Sequence, residues 1–168
     1  MKYLMTIMIL LFTQTVLADP ITDVFGEGVF DIKWGNSIEQ IQEAYPMGNK
    51  KSLNNIMWFE VKNSKEVLGF QRKNMNIHFS FDDKDRLNGV AVHFDDSQYG
   101  ALLIKLETLF GEWSKHSTNA VPYIQWKSDN GITLTLSSAP SGFGIDTVFS
   151  IGYANLEATI PDKQSLGF

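Results

Sequence analysis

Few side chains in this 168-residue chain could do chemistry, and most of them fail on type or spacing. There is no cysteine, which rules out a thiol nucleophile and a thiolate metal site. The serines lack the Gly-x-Ser-x-Gly turn that lifts a nucleophile above an α/β-hydrolase sheet, and Ser138-Ala139-Pro140-Ser141-Gly142 reads as a loop between strands. Gly142-x-Gly144 has neither the third glycine nor the following helix that a dinucleotide site requires. Asp82-Asp83-Lys84-Asp85 offers oxygen ligands without the alternate spacing or closing glutamate of a calcium loop, and reads as a hairpin turn. Two sets remain. His78 and His93 could hold a metal with a third ligand or titrate together, and Glu60 with Asp95 or Asp96 could do acid–base work if folding held them about 5–9 Å apart. No catalytic residue, resident metal or cofactor is assigned.

The histidines depend on their strands for position. Met75, Ile77, Phe79 and Phe81 alternate with Asn76, His78 and Ser80, and Val90, Val92 and Phe94 line a returning strand. A two-residue turn at Lys84-Asp85 sets Phe79 opposite Val90, Ile77 opposite Val92 and Met75 opposite Phe94. His78 and His93 then become diagonal neighbours on the outer face, roughly 7 Å apart by backbone. Ser80, Tyr123, Gln125, Thr133 and Thr135 are expected on the same face, a surface of hydroxyls, amides and aromatics suited to recognition.

The remaining elements follow from punctuation and period. Residues 19–27 read as a polar lead-in and 28–34 as a strand broken at Gly35. Asn36 with Glu39, or Ser37 with Gln40, can form a capping box before the stripe Ile38, Ile41, Tyr45, and Pro46 stops that helix. Strands are expected over 56–61 and 67–72. A longer helix opens at Asp96 or Ser97, with Tyr99, Leu102, Leu103, Leu106, Leu109 and Phe110 as its apolar stripe and Gly111 as its end. Further strands fall over 123–127, 132–137 and 145–153. A three-residue turn Asp129-Asn130-Gly131, with Gly131 left-handed, pairs Trp126 with Leu134 and Ile124 with Leu136.

The order strand, helix, three strands occurs twice, and Gly28-Val29 matches Gly89-Val90 at the offset that matches Ile41 to Leu102. The expected fold is therefore α+β. Two strand-helix-three-strand units, 19–87 and 88–157, form one antiparallel sheet with the helices on one face, and residues 158–168 form a loose tail.

Residues 1–18 place Lys2 before an apolar run and end in Val16-Leu17-Ala18, the order of a cleavable signal peptide with cleavage near Ala18. The expected mature protein is periplasmic or secreted, with no membrane anchor and no need of disulfides at its length. Without Lys2 it carries 13 Lys and Arg against 19 Asp and Glu, a net charge of −6, which disfavours nucleic acid and anionic membranes. The small basic clusters, Lys50-Lys51 the largest, read as solvated surface.

The run Ile32-Lys33-Trp34-Gly35-Asn36-Ser37-Ile38-Glu39-Gln40-Ile41 resembles the opening motif of the BamE/SmpA envelope lipoproteins and of the β-lactamase inhibitory proteins. The second unit, with Leu106-x-x-Leu109-Phe110-Gly111-x-Trp113 and then Trp126 before Ile132-Thr133-Leu134, is similar to many small exported bacterial proteins without an assigned role, and a tandem of two such units resembles the inhibitory proteins in particular. The chain departs from those families in having neither a lipobox cysteine nor disulfide cysteines. The resemblance implies a non-enzymatic protein-binding module, of inhibitor, immunity or envelope-assembly type. Its partner would be another envelope protein or a secreted enzyme or toxin. The residues expected to bind it are Trp58, His78, His93, Trp113, Tyr123, Gln125, Thr133 and Thr135. An exported hydrolase with paired carboxylates and a histidine-based metal-binding protein are the alternatives.

Overall fold

Asp19 and Pro20 open the first element of the computed structural model, which describes residues 19–53, 56–142 and 144–156. The expected signal peptide and the tail from 158 lie outside the described residues. Helix α1 (Pro20–Phe25) replaces the expected lead-in: the Asp19 carboxylate accepts from the Ile21 amide at 3.0 Å, and Pro20 sits where a missing N–H costs nothing. Residues 28–34 are not a strand of the main sheet. They form two-residue strands β1 (Gly28–Val29) and β2 (Ile32–Lys33), joined through Phe30 and Asp31 at φ 54° and 64°. Helix α2 (Ile38–Ala44) starts at the Ser37–Gln40 capping box, and Tyr45 then donates its hydroxyl to the Phe30 carbonyl at 2.8 Å.

Eight strands follow: β3 (Asn49–Leu53), β4 (Ile56–Lys62), β5 (Asn76–Phe81), β6 (Leu87–Asp95), β7 (Lys115–Ser117), β8 (Tyr123–Lys127), β9 (Ile132–Ser141) and β10 (Gly144–Tyr153). They make one antiparallel sheet in the order β3-β4-β5-β6-β10-β9-β8-β7. The edge strand β3 is exposed throughout and carries Lys50 and Lys51, charges that discourage pairing with another chain.

The β5–β6 register agrees with the alternation, with Phe79 opposite Val90 and Ile77 opposite Val92. The turn differs. It holds three residues, Asp83-Lys84-Asp85, with Asp85 at φ 56°, and Asn88 bulges so that Ser80 still meets Gly89. Met75 does not face Phe94, because it ends a 3-10 turn (Lys73–Met75) in the left-handed conformation. The expected strand at 67–72 is a tight turn instead, Val67 bridging Phe70 through Leu68 and Gly69 at φ 57° and 85°. The Gly131 turn and its pairs, Trp126 with Leu134 and Ile124 with Leu136, are as the spacing implied.

Helix α3 (Tyr99–Phe110) follows a 3-10 turn (Asp96–Gln98) that Asp95, one residue earlier than expected, closes in a capping box with Gln98. Leu102 and Leu106 are buried, but Leu109 is 44% exposed, because the sheet reaches only one side of the stripe. One apolar core joins Ile38 and Ile41 of α2, Leu102 and Leu106 of α3 and Ile21 of α1 to alternate residues of the sheet, among them Phe59, Ile77, Phe79, Val90, Phe94, Trp126, Leu134 and Phe149. All three helices therefore lie on one face. The fold is α+β and mostly antiparallel sheet, and no helix among the described residues is long and apolar enough to cross a membrane.

Candidate functional site

Side chains of opposite parity to the core project from the other face of the sheet. There Glu60 is directly opposite His78, His78 opposite Ala91, and His93 opposite Val148, two residues from Asp146. Glu60, His78, His93 and Asp146 thus run diagonally across four adjacent strands, one per strand. The two imidazole rings meet edge-on with centroids 5.1 Å apart, nearer than the backbone spacing implied.

Asp146 anchors the line. It is 1% exposed, accepts from Lys73 Nζ at 2.5 Å, and lies 3.2 Å from His93 Nδ1. A carboxylate can only accept, so His93 Nδ1 carries a proton and Nε2 faces away from Asp146. Burial pushes the Asp146 carboxyl up, but hydrogen bonds from Lys73, Ser141 and His93, with the Lys73 charge, outweigh it and hold the carboxyl below its ordinary value. Lys73 is carried there by the 3-10 turn, which Arg72 ties down by donating to the carbonyls of Lys65, Asn76 and Asn63.

At the other end, Glu60 Oε2 comes within 3.3 Å of His78 Nε2, but the approach is misaligned and leaves Nε2 buried without a hydrogen bond. Trp58, on the same face of β4, lies 6.3 Å from the His78 ring, and its indole N–H is buried and unpartnered. Such orphaned donors and acceptors are uncommon in folded proteins.

Burial first, and the neighbouring His93 second, push the His78 imidazole below its ordinary 6.5, with Glu60 opposing. As pH falls below 6.5 the unfolded chain therefore takes up a proton that the folded chain refuses. The stability contributed by neutral His78 is complete above pH 6.5 and is lost as pH falls toward the folded value. Urea midpoints are expected to drop on acidification below pH 6.5, and His78→Gln should flatten that part of the profile. An unchanged slope in the variant would place the effect elsewhere.

Of the residues expected to bind, Trp58, His78, His93, Tyr123, Gln125, Thr133 and Thr135 share this face by register. Gln125 Nε2 donates to Thr135 Oγ1 at 3.1 Å, and Lys115 Nζ sits 5.6 Å over the Tyr123 ring. A shallow trough of about 290 Å³ lies between the two groups, floored by Gly89, Gly152 and Ala91 and walled by Ser80, Ser150, Thr133 and Thr135. Trp58 lies in β4, within the strand expected over 56–61. One placement differs from the expected shared surface. Trp113, 42% exposed against His116, precedes the far edge strand β7, and six strand spacings put β7 about 29 Å from β4, so the two tryptophans do not form one site.

The carboxylate pair is also apart. Two strands and four residues separate Glu60 from Asp95, about 16 Å, whereas acid–base pairs work at about 5–9 Å. Among the described residues no three His, Asp or Glu side chains converge on a metal position. Asp146 and Lys73 were not legible as site residues, although an aspartate amid Ile145, Thr147 and Val148 is a signal, since acids are rarely buried unless paired.

No family model matches the chain, and no curated protein matches it. Among solved structures it is similar to the crystal structure of a DUF4309 family protein, YjgB, from Bacillus subtilis, at 9% identity and a TM-score of 0.49, over 77% of this chain and 83% of that one.

Proposed function

We propose that this is an exported, non-enzymatic protein-binding module that presents the helix-free face of its sheet to another envelope protein or to a secreted enzyme or toxin. One observation carries the reading: that face holds a partly buried polar line in which the carboxylates of Glu60 and Asp146 flank the imidazoles of His78 and His93 and Lys73 pairs with Asp146, beside the unpartnered indole of Trp58. Charges preset in this way favour one partner over others, and a tryptophan in a desolvated setting is the residue type that most often anchors an interface. The two-unit origin belongs to the same proposal: α2 leads into β3–β5 and α3 into β7–β10, each a helix followed by antiparallel strands.

The test places a photo-cross-linking residue at Gln125 or Ser80 on the face, and at Ile104 on the exposed side of α3. The face positions should trap one shared adduct in the producing cell, Ile104 none, and Trp58→Ala should abolish the adduct while the protein stays folded. Equal yield from Ile104, or no adduct from the face, would sink the proposal. Terminal sequencing should find the exported chain starting at Asp19.

A further inference from the structure

On the opposite face, the centre of the sheet is not roofed by α2 or α3. The central strands β6 and β10 contribute Val90, Val92, Phe149 and Ile151 to the floor of a cavity of about 340 Å³, which is roofed by α1, the β1–β2 turn and the turn at Leu68. The space is a cleft that opens to solvent at its rim, where Val24 is 60% exposed, and narrows onto a floor of buried residues that the roof does not seal. The roof is unusual. Phe30 and Leu68 overhang the cavity from left-handed backbone at φ 54° and 57°, where tight turns ordinarily place asparagine or glycine. Non-glycine residues held this way carry strain, and such strain clusters at ligand clamps.

The lining is apolar except for one ionisable side chain. Glu66, exposed at the rim, is steadied by Gln71 Nε2 at 2.8 Å. A carboxylate at an otherwise apolar mouth repels a fatty acid and attracts a protonated amine. The volume is roughly twice the 150 Å³ cavity that accommodates benzene, so about ten carbons fit. We propose that this cavity binds a medium-chain aliphatic amine, its chain over Val90, Val92 and Ile151 and its ammonium at Glu66. This site lies across the sheet from the proposed recognition face and does not depend on it.

The test titrates the full-length chain at pH 7 with decylamine and decanoate below their micellar concentrations, following methyl NMR signals of Val90, Val92 and Ile151. Decylamine should shift those methyls saturably, and decanoate should bind at least tenfold more weakly. Glu66→Gln should erase that preference while keeping the methyl shifts. Val92→Phe should fill the cavity and abolish binding. Because that core change can unfold the chain, Val24→Trp, on the 60% exposed outer wall, serves as the second block, with near-UV circular dichroism confirming the fold. Absence of saturable methyl shifts in the folded wild type would overturn the site. Equal affinity for decanoate and decylamine would overturn the role of Glu66, and undiminished binding in a folded Val24→Trp or Val92→Phe variant would place the ligand elsewhere.

Discussion

Trp126→Ala is expected to lower the unfolding free energy by about 4 kcal/mol, a large share of what a domain of this size holds. The indole is 1% exposed on the core face of β8, opposite Leu134, and donates from Nε1 to the Gly111 carbonyl at 2.9 Å. Gly111 ends α3 at φ 78°, so one side chain fills the core and fixes where the longest helix stops. Alanine removes the ring and leaves that carbonyl without the indole donor. Trp126→Phe keeps most of the packing and loses the hydrogen bond together with part of the ring, at about 1–2 kcal/mol. Urea unfolding should show the midpoints ordered wild type, Phe, Ala at unchanged slope. An alanine variant within 1 kcal/mol of wild type would mean that α3 is anchored by other contacts.

The Trp126 pairing was legible from the sequence because three signals agreed there: alternation in both strands, a three-residue link and a glycine at the left-handed position. The Ser37–Gln40 box and the Leu102–Leu106 stripe were legible for the same reason. Where local chemistry competed with alternation, the reading failed. Residues 28–34 look like a strand because Val29, Phe30 and Ile32 are apolar and β-prone, yet the chain doubles back at Phe30-Asp31, a turn pair without the usual Asn-Gly signal. Leu68-Gly69 likewise breaks what reads as a strand over 67–72. The start of α1 was in plain view, since Asp-Pro is a cap followed by a first-turn proline, but six residues are too few to show a helical period.

The site divides in the same way. Its two histidines could be placed because a strand period of two settles which face a residue takes once the register is known, and the Asn88 bulge offset the extra turn residue that would have upset it. Their partners could not be placed. Asp146 meets His93 across 53 residues and Lys73 across 73, contacts that depend on β10 inserting beside β6, and no pattern within either strand specifies that neighbour. Sheet order was thus the missing information, and the charged line on the open face follows from it.

Asp146→Asn tests that line most directly, and should cost about 2 kcal/mol at pH 7. Lys73 Nζ and His93 Nδ1–H both donate to the carboxylate, and an amide of the same shape offers one oxygen and turns an NH₂ group toward the second donor. The acid response carries the sign. In the wild type the carboxyl is held below 3.8, so its contribution is present above that pH and is lost as pH falls through the lower folded value. Asp146→Asn should abolish that part of the profile. Lys73→Met should instead leave the buried carboxyl with less to oppose its burial. Should its folded value then rise past the unfolded one, stability would increase on acidification where the wild type declines. Parallel acid profiles for the wild type and both variants would show that Asp146 is not the anchor of the charged face.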